Sequence, residues 1–174
     1  AARTMAEFST LDRGSLRIAC HPAASASFMP RLLATFLKDR PAVKADLMMR
    51  SSQVVEDLIA SQEYDIGLAE TPPPRPSLLI ETFELECLIA LPYDDPLAAR
   101  QSLSPKDLDG YPLATLFDEH PIHRAVQDAF AAKGAALNRR FVLRTFLPAL
   151  QLVEAGLCAS IVDRITAASH RAPG

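Results

Sequence analysis

Residues 142–162 read VLRTF, LPALQLVEAG and LCASIV in succession, and this stretch decides the predicted fold. The apolar pattern predicts a strand, a polar turn, a helix that stops at Gly156, and a second strand. Because a helix N-terminus carries unpaired N–H groups and a partial positive charge, Thr145 and the residues after it would form a seat for a carboxylate. This arrangement favours small-molecule sensing over catalysis.

The composition is that of a soluble globular protein, with 49% hydrophobic residues, 22% charged residues and a net charge of −3. Its 18 Lys and Arg residues are scattered, so this chain alone should not bind DNA well. No apolar run reaches the roughly 20 residues that span a bilayer. The first residues also lack the pattern of a signal peptide, although a removed signal would leave no trace. We therefore expect neither membrane insertion nor export.

The cysteine pattern indicates a reducing compartment. The chain has three cysteines, each inside an apolar run and none in a CxxC spacing: Cys20, Cys87 and Cys158. Buried reduced thiols are therefore expected, rather than disulfides or metal ligands, in a cytoplasmic protein.

Strands and helices alternate along the first half of the chain. The apolar spacing predicts, in order, a strand at 15–20, a helix at 28–37, a strand at 43–49, a helix that begins after Ser51 and Ser52, and a strand at 65–69. Such alternation implies a parallel sheet whose ligands lie at the carboxyl ends of the strands. The loops expected there are 21–27, 50–53 and 70–76.

A second series of the same kind follows the apolar stretch 78–91, which is predicted to cross from one lobe to the other. It comprises a short helix at 103–110, a strand at 113–116 and a helical stripe at 122–130 that ends at Gly134. We therefore expect two lobes with a cleft between them.

These pieces, in this order and spacing, resemble the effector-binding domain of the LysR-type transcriptional regulators, which has a type 2 periplasmic-binding-protein fold. The matching segments are 14–19, 30–36, 64–69, 91–97, 103–113 and 153–162. The resemblance implies an α/β fold of two lobes, each a mostly parallel sheet flanked by helices, with the ligand cleft between the lobes. Residues 1–13 would be the end of a linker helix or residues added for expression, 14–91 the first lobe and 92–174 the second.

The resemblance also implies partners. Family members bind a small-molecule effector, assemble as homodimers or tetramers, and bind DNA through an N-terminal winged helix-turn-helix that is absent from this chain. The family chain crosses back after the equivalent of His170 to complete the first lobe, so the first lobe of this sequence could be incomplete. Within the family, the segment 149–169 looks closest to regulators of opine or basic amino-acid catabolism.

Carried onto this sequence, the effector contacts of the family fall on hydroxyls of the first lobe and on the turn of the opening stretch. They are Ser25, Ser27, Ser51, Ser52, Thr145 and Phe146. Hydroxyls and helix amides would satisfy a carboxylate, and the phenyl ring would cover apolar ligand surface. Equally, Ser51 or Ser52 could simply cap its helix, because serine is a preferred cap.

Two acids, Asp118 and Glu119, lie between a predicted strand and a predicted helix, where an amino-acid ligand would need an anionic partner for its ammonium or guanidinium group. The alternative is that they are solvated first-turn acids favoured by the helix dipole. His120 and His123 could pair on a metal, but two histidines without convergent acids or cysteines are weak evidence, and no metal or cofactor is expected.

Nothing in the sequence indicates catalysis, since it has no GxSxG, no HExxH and no Gly-rich phosphate loop. The chain is therefore expected to be a regulatory domain that binds a carboxylate-bearing metabolite, such as an amino acid or opine. Two alternatives share the fold: a solute-binding protein of a transporter, which would be exported, and an enzyme such as a dehydratase.

Overall fold

The computed structural model describes residues 14–70 and 75–170, and the chain divides into two units, Ala1–Glu84 and Leu85–Gly174. The expectation for residues 1–13 lies outside the described residues. The division falls before the predicted lobe boundary at 91/92, because the strand Cys87–Ala90 pairs with a strand of the second unit. The sequence pattern alone could not reveal that long-range pairing.

The first unit is built on a three-stranded parallel sheet. In chain order its elements are β1 (Gly14–Cys20), a π-helical turn (Ala24–Phe28), α1 (Met29–Leu37), β2 (Val43–Met49), α2 (Ser52–Ala60) and β3 (Ile66–Leu68). The strand order is β2-β1-β3, so β1 is central. The side chains of Leu16, Ile18 and Cys20 in β1 are buried in one core cluster with Met29 of α1, as expected for a central strand of a parallel sheet.

The second unit is built on a four-stranded sheet of order β4-β7-β5-β6, in which only the β4–β7 pair is antiparallel. In chain order its elements are β4 (Cys87–Ala90), 3-10 turns at Pro96–Ala99 and Pro105–Leu108, β5 (Leu113–Leu116), α3 (Pro121–Ala132), β6 (Arg139–Leu143), α4 (Leu147–Glu154), β7 (Ala159–Asp163) and α5 (Arg164–Ser169).

Helices cover both faces of the second sheet. Side chains alternate along a strand, so Leu113 of β5 packs with Phe130 of α3, whereas Ala114 packs with Ala149 and Val153 of α4. Hydrophobic burial on both faces explains why all four residues of β5 are buried. The residues that follow β5 are thereby held in place.

Two local expectations differ from the structure. The helix predicted at 103–110 is only the 3-10 turn Pro105–Leu108. Cys20 and Cys158 are buried as expected, but Cys87 is exposed, because it lies at the first position of the edge strand β4. Among the described residues, no helix is long and apolar enough to cross a bilayer.

Candidate functional site

The first unit brings several polar groups to the carboxyl edge of its sheet. Because the strands are parallel, the residues after β1, β2 and β3 all emerge at that edge. The N–H of His21 donates to the carbonyl of Leu68 at 2.9 Å, and the N–H of Arg50 donates to the carbonyl of Cys20 at 3.0 Å. These bonds extend the hydrogen bonding between neighbouring strands by one residue and fix the start of the loops that follow.

A side-chain bond joins the loop after β3 to the start of α2. The hydroxyl of Ser52 accepts a hydrogen bond of 2.9 Å from the N–H of Glu70. The Glu70 carboxylate oxygen Oε1 lies 3.4 Å from Nδ1 of His21, whose side chain is 10% exposed, while that of Glu70 is 26% exposed. The ends of β1 and β3 and the first residue of α2 therefore meet at one polar cluster.

Ser51 lies at the N-cap position of α2 with an extended backbone, but its side chain makes no capping hydrogen bond. The interpretation that this serine is only a helix cap is therefore not supported by the geometry. Its hydroxyl is exposed, next to the N–H groups of the first turn of α2. Ser51 is the serine of this edge that is best placed to contact an anion.

The other two predicted serines make local bonds. Ser25 lies in the π-helical turn and donates its hydroxyl hydrogen to the carbonyl of Pro22 at 2.9 Å. The hydroxyl of Ser27 accepts a bond of 3.4 Å from Nη2 of Arg31. The structure therefore places the four predicted serines of the first unit in two segments, the π-helical turn after β1 and the start of α2.

In the second unit, Asp118 already faces a cation. Its Oδ1 lies 2.6 Å from Nη2 of Arg139 and 3.9 Å from Nε2 of His123. Arg139 also donates from Nε to the Thr115 hydroxyl at 3.1 Å and from Nη2 to the Leu116 carbonyl at 3.2 Å. A guanidinium that also bonds to β5 therefore engages one oxygen of this carboxylate, whose side chain is 74% exposed, and the expectation that Asp118 offers its charge to a ligand stays a prediction.

His123 is buried beside this ion pair, at the start of α3. Among the described residues its Nδ1 has no hydrogen-bond partner. Burial lowers the pKa of His123, and the nearby positive charge of Arg139 lowers it further, while Asp118 acts in the opposite direction. Both effects disfavour the charged imidazolium form of His123.

Glu119 and Thr145 remain at the surface of the second unit. The carboxylate of Glu119 is exposed, and its backbone carbonyl accepts a bond of 3.1 Å from Nη2 of Arg124. Thr145 is half-buried between β6 and α4. Beside it, the exposed guanidinium of Arg144 stacks over the ring of Phe117, with its carbon 4.7 Å from the ring centroid.

Phe146 is not a surface ring. It is only 4% exposed and packs with Leu116, Leu150 and Val162 in the core. The expectation that this ring covers ligand surface is corrected, because α4 folds onto the sheet and buries its first apolar side chains. A narrow cavity between α3 and the sheet includes Phe146 and His123 in its lining. It has room for about one water molecule, too little for an effector.

Sequence reasoning missed four polar residues of these two surfaces: His21, Glu70, Arg139 and Arg144. Glu70 had a usable signal, since it follows a predicted strand directly in one of the expected site loops. Arg139 had none, because its partner Asp118 is distant in sequence. Within residues 14–70 and 75–170, no group of three or more His, Cys, Asp or Glu side chains could hold a metal ion.

Comparison with known proteins gives consistent matches. A family model described as the LysR substrate binding domain matches residues 9–174. The transcriptional activator protein LysR of Escherichia coli (strain K12) is 31% identical over 177 residues, which cover 100% of this chain and 55% of that protein. The octopine catabolism/uptake operon regulatory protein OccR of Rhizobium meliloti is 39% identical over 97 residues, which cover 56% of this chain and 32% of that protein. The chain spans about half the length of the curated regulator LysR.

A solved structure shares the fold. The BenM effector binding domain with its effector benzoate matches with a TM-score of 0.71 and 19% identity, over 91% of this chain and 73% of that chain. At this identity the likeness concerns the fold alone. The α/β, two-lobed fold expected from the sequence is confirmed, as is the resemblance to LysR-type effector-binding domains.

Proposed function

Because the chain belongs to the LysR substrate-binding domain family, we propose that it senses a small carboxylate-bearing metabolite and thereby controls transcription through the DNA-binding domain of a longer regulator. The family consists of transcriptional regulators rather than enzymes. The effector class we favour is an amino acid or an opine. A homodimer or tetramer acting in the cytoplasm belongs to the same proposal.

One observation carries the assignment of the site. At the carboxyl edge of the first sheet, Ser51 lies at the N-terminus of α2, and its exposed hydroxyl makes no capping hydrogen bond. The neighbouring residue, Ser52, accepts the hydrogen bond from Glu70. A helix N-terminus favours an anion through its unpaired N–H groups and its partial positive charge. A carboxylate bound here would accept bonds from the first-turn amides and from the Ser51 hydroxyl.

The second unit offers a comparable anion seat of its own. Thr145 precedes α4. The residue before it, Arg144, holds its guanidinium over the ring of Phe117. A guanidinium can bind a carboxylate through two parallel hydrogen bonds, so Arg144 would add charge to the seat that the sequence predicts at Thr145. We propose that Ser25, Ser27, Ser51 and Ser52 contribute to effector recognition in the first unit. In the second unit we propose the same role for Asp118, Glu119, Arg144 and Thr145.

Two relatives support the effector class. OccR is named as the regulator of an octopine catabolism and uptake operon, and the BenM domain is described with its effector benzoate. Octopine and benzoate are both carboxylates, and octopine is also an amino-acid derivative. Binding would alter transcription only through different affinities of the effector for two states of the regulator.

Calorimetric titration of the purified chain with amino acids, opines and aromatic acids tests the proposal. We expect at least one carboxylate to bind, and Ser51→Ala or Thr145→Ala to weaken the strongest binder several-fold. Ser102→Ala is the matched control, because Ser102 is exposed and lies between the two 3-10 turns rather than in a segment proposed to bind the effector. If both site variants bind as the wild type does, the assignment of the site is wrong.

A further inference from the structure

We propose that Phe117 is a positioning residue for effector binding, whose ring presents the guanidinium of Arg144 to the carboxylate of the effector. Arg144 is then the group of the second unit that distinguishes a carboxylate from a neutral ligand of the same shape. This inference rests on the proposed function and names how the second unit selects an anion.

The strand register brings Phe117 and Arg144 together. Leu116 of β5 pairs with Leu143 of the neighbouring parallel strand β6, and Phe117 and Arg144 are the residues that follow this pair. The carbon of the Arg144 guanidinium lies 4.7 Å from the centroid of the Phe117 ring. Two residues that are distant in sequence therefore meet at the carboxyl edge of the second sheet, the edge at which open α/β sheets bind ligands.

The Phe117 ring is itself held in place. All four residues of β5, the strand before it, are buried, and the N–H of His120 donates to the Phe117 carbonyl at 3.0 Å. The imidazole of His120 meets the phenyl ring in a T-shaped arrangement, with the centroids 5.5 Å apart and an interplanar angle of 83°. Because the ring is fixed in this way, its attraction for a cation limits the arrangements of the long Arg144 side chain.

Arg144 has no counter-ion among the residues that the structure describes. Its exposed guanidinium makes the cation–π contact with Phe117 but no hydrogen bond and no ion pair there. Of the two acids that follow Phe117, Asp118 lies 2.6 Å from Arg139, and Glu119 forms no ion pair with Arg144. An incoming carboxylate can therefore bind this guanidinium without displacing a carboxylate of the protein.

A second arginine of β6 shows the difference. Arg140 also lies over a phenyl ring, that of Phe141, at 5.2 Å, but it donates from Nη1 to the carbonyl of Leu157 at 2.6 Å. Its guanidinium is therefore bonded within the protein, whereas that of Arg144 bonds to no oxygen of the described residues. A guanidinium presents its donors in a planar fork that matches the two oxygens of a carboxylate.

Matched ligand pairs test the role of Arg144. The purified chain is titrated calorimetrically with benzoate and benzamide, L-lysine and L-lysinamide, L-arginine and L-argininamide, and with octopine. We expect the carboxylate that binds most tightly to lose about tenfold or more in affinity in Arg144→Gln, and each amide to be affected little. Arg144→Lys keeps the charge but not the planar fork and should retain part of the affinity. Arg140→Gln is the matched control and should bind as the wild type does.

Variants of Phe117 test whether the ring acts through Arg144. A cation–π contact at an exposed site favours one arrangement by about two- to fivefold, so Phe117→Leu should weaken the tightest carboxylate by that factor. Phe117→Tyr keeps an aromatic ring and should bind as the wild type does. Phe117→Leu added to Arg144→Gln should cause no further loss of affinity, since no guanidinium is left to position.

The outcomes separate this inference from the proposed function. If Arg144→Gln binds every carboxylate as the wild type does, the role of Arg144 is refuted while carboxylate sensing stands. If Phe117→Leu weakens binding equally with and without Arg144, the ring is not a positioning residue. If no carboxylate binds, both proposals fail. Circular dichroism and thermal unfolding of each variant establish that a lost affinity does not reflect a lost fold.

Discussion

Gly67 of β3 lies so close to Ile59 of α2 that a Cβ atom on the glycine would be 2.7 Å from Cγ1 of Ile59. The same atom would be 2.9 Å from Cγ1 of Val55. Real Cβ contacts are essentially never below 3.0 Å, so any larger residue must push the helix or its side chains away. This close approach sets the distance between α2 and the sheet, and with it the position of Ser51 and Ser52.

We expect Gly67→Ala to destabilise the first unit by about 1–3 kcal/mol, the usual cost of overpacking a close contact. Urea unfolding followed by circular dichroism measures it. Combining Gly67→Ala with Ile59→Ala removes the side chain that clashes, so the double variant should lose less stability than the sum of the two single losses. Strict additivity would show that the contact between β3 and α2 is not as tight as described.

The two neighbouring serines of α2 should behave differently. Ser52→Ala leaves the N–H of Glu70 without its acceptor, so we expect a loss of about 1 kcal/mol in the free energy of unfolding. Ser51→Ala removes no capping bond and should cost less than about 0.5 kcal/mol. Thermal and urea unfolding of the pair provide the comparison. Equal losses of stability in the two variants would contradict the conclusion that Ser52 has a structural role and that Ser51 makes no capping bond.

Arg139 should matter more for stability than its partner Asp118. Arg139→Met deprives both the Thr115 hydroxyl and the Leu116 carbonyl of a donor, so we expect a loss of about 1–3 kcal/mol. The Asp118 side chain is 74% exposed, and an exposed ion pair contributes at most about 1 kcal/mol, so Asp118→Asn should cost less. Urea unfolding gives both values. The reverse order would show that the ion pair, rather than the bonds to β5, positions Arg139.

The stability of the second unit should fall in mild acid because of His123. Its folded pKa is lowered, so its contribution is fully present above the unfolded value of about 6.5 and is lost as the pH falls through the folded pKa. Asp118, Arg139 and His120 are the charged or titratable groups that act on it. We expect His123→Leu to flatten the pH dependence of the free energy of unfolding below about pH 6.5.

His170→Gln is the matched control for this measurement, since His170 is partly exposed at the end of α5. That variant should keep the acid-dependent loss of stability. A His123→Leu variant with the slope of the wild type would mean that other groups cause the acid sensitivity.

Local sequence patterns determined the architecture. Apolar alternation and helical spacing located both parallel series of strands and helices, because each pattern reflects which face of a single element is buried. Gly134 and Gly156 were predicted to end helices, and both have positive φ angles, +58° and +73°, which residues with a Cβ rarely adopt. The family resemblance followed from these elements in order.

Only the tertiary structure decided the partners of the polar residues. Glu70 meets Ser52 because β3 lies beside β1 and α2 packs against β3, and Asp118 meets Arg139 because β5 pairs with β6. Such pairs depend on strand register and helix packing, which no local pattern encodes. The burial of Phe146 has the same origin. The sequence by itself therefore determined which edges of the sheets carry polar groups, and the packing of distant segments decided which of those groups bond to one another.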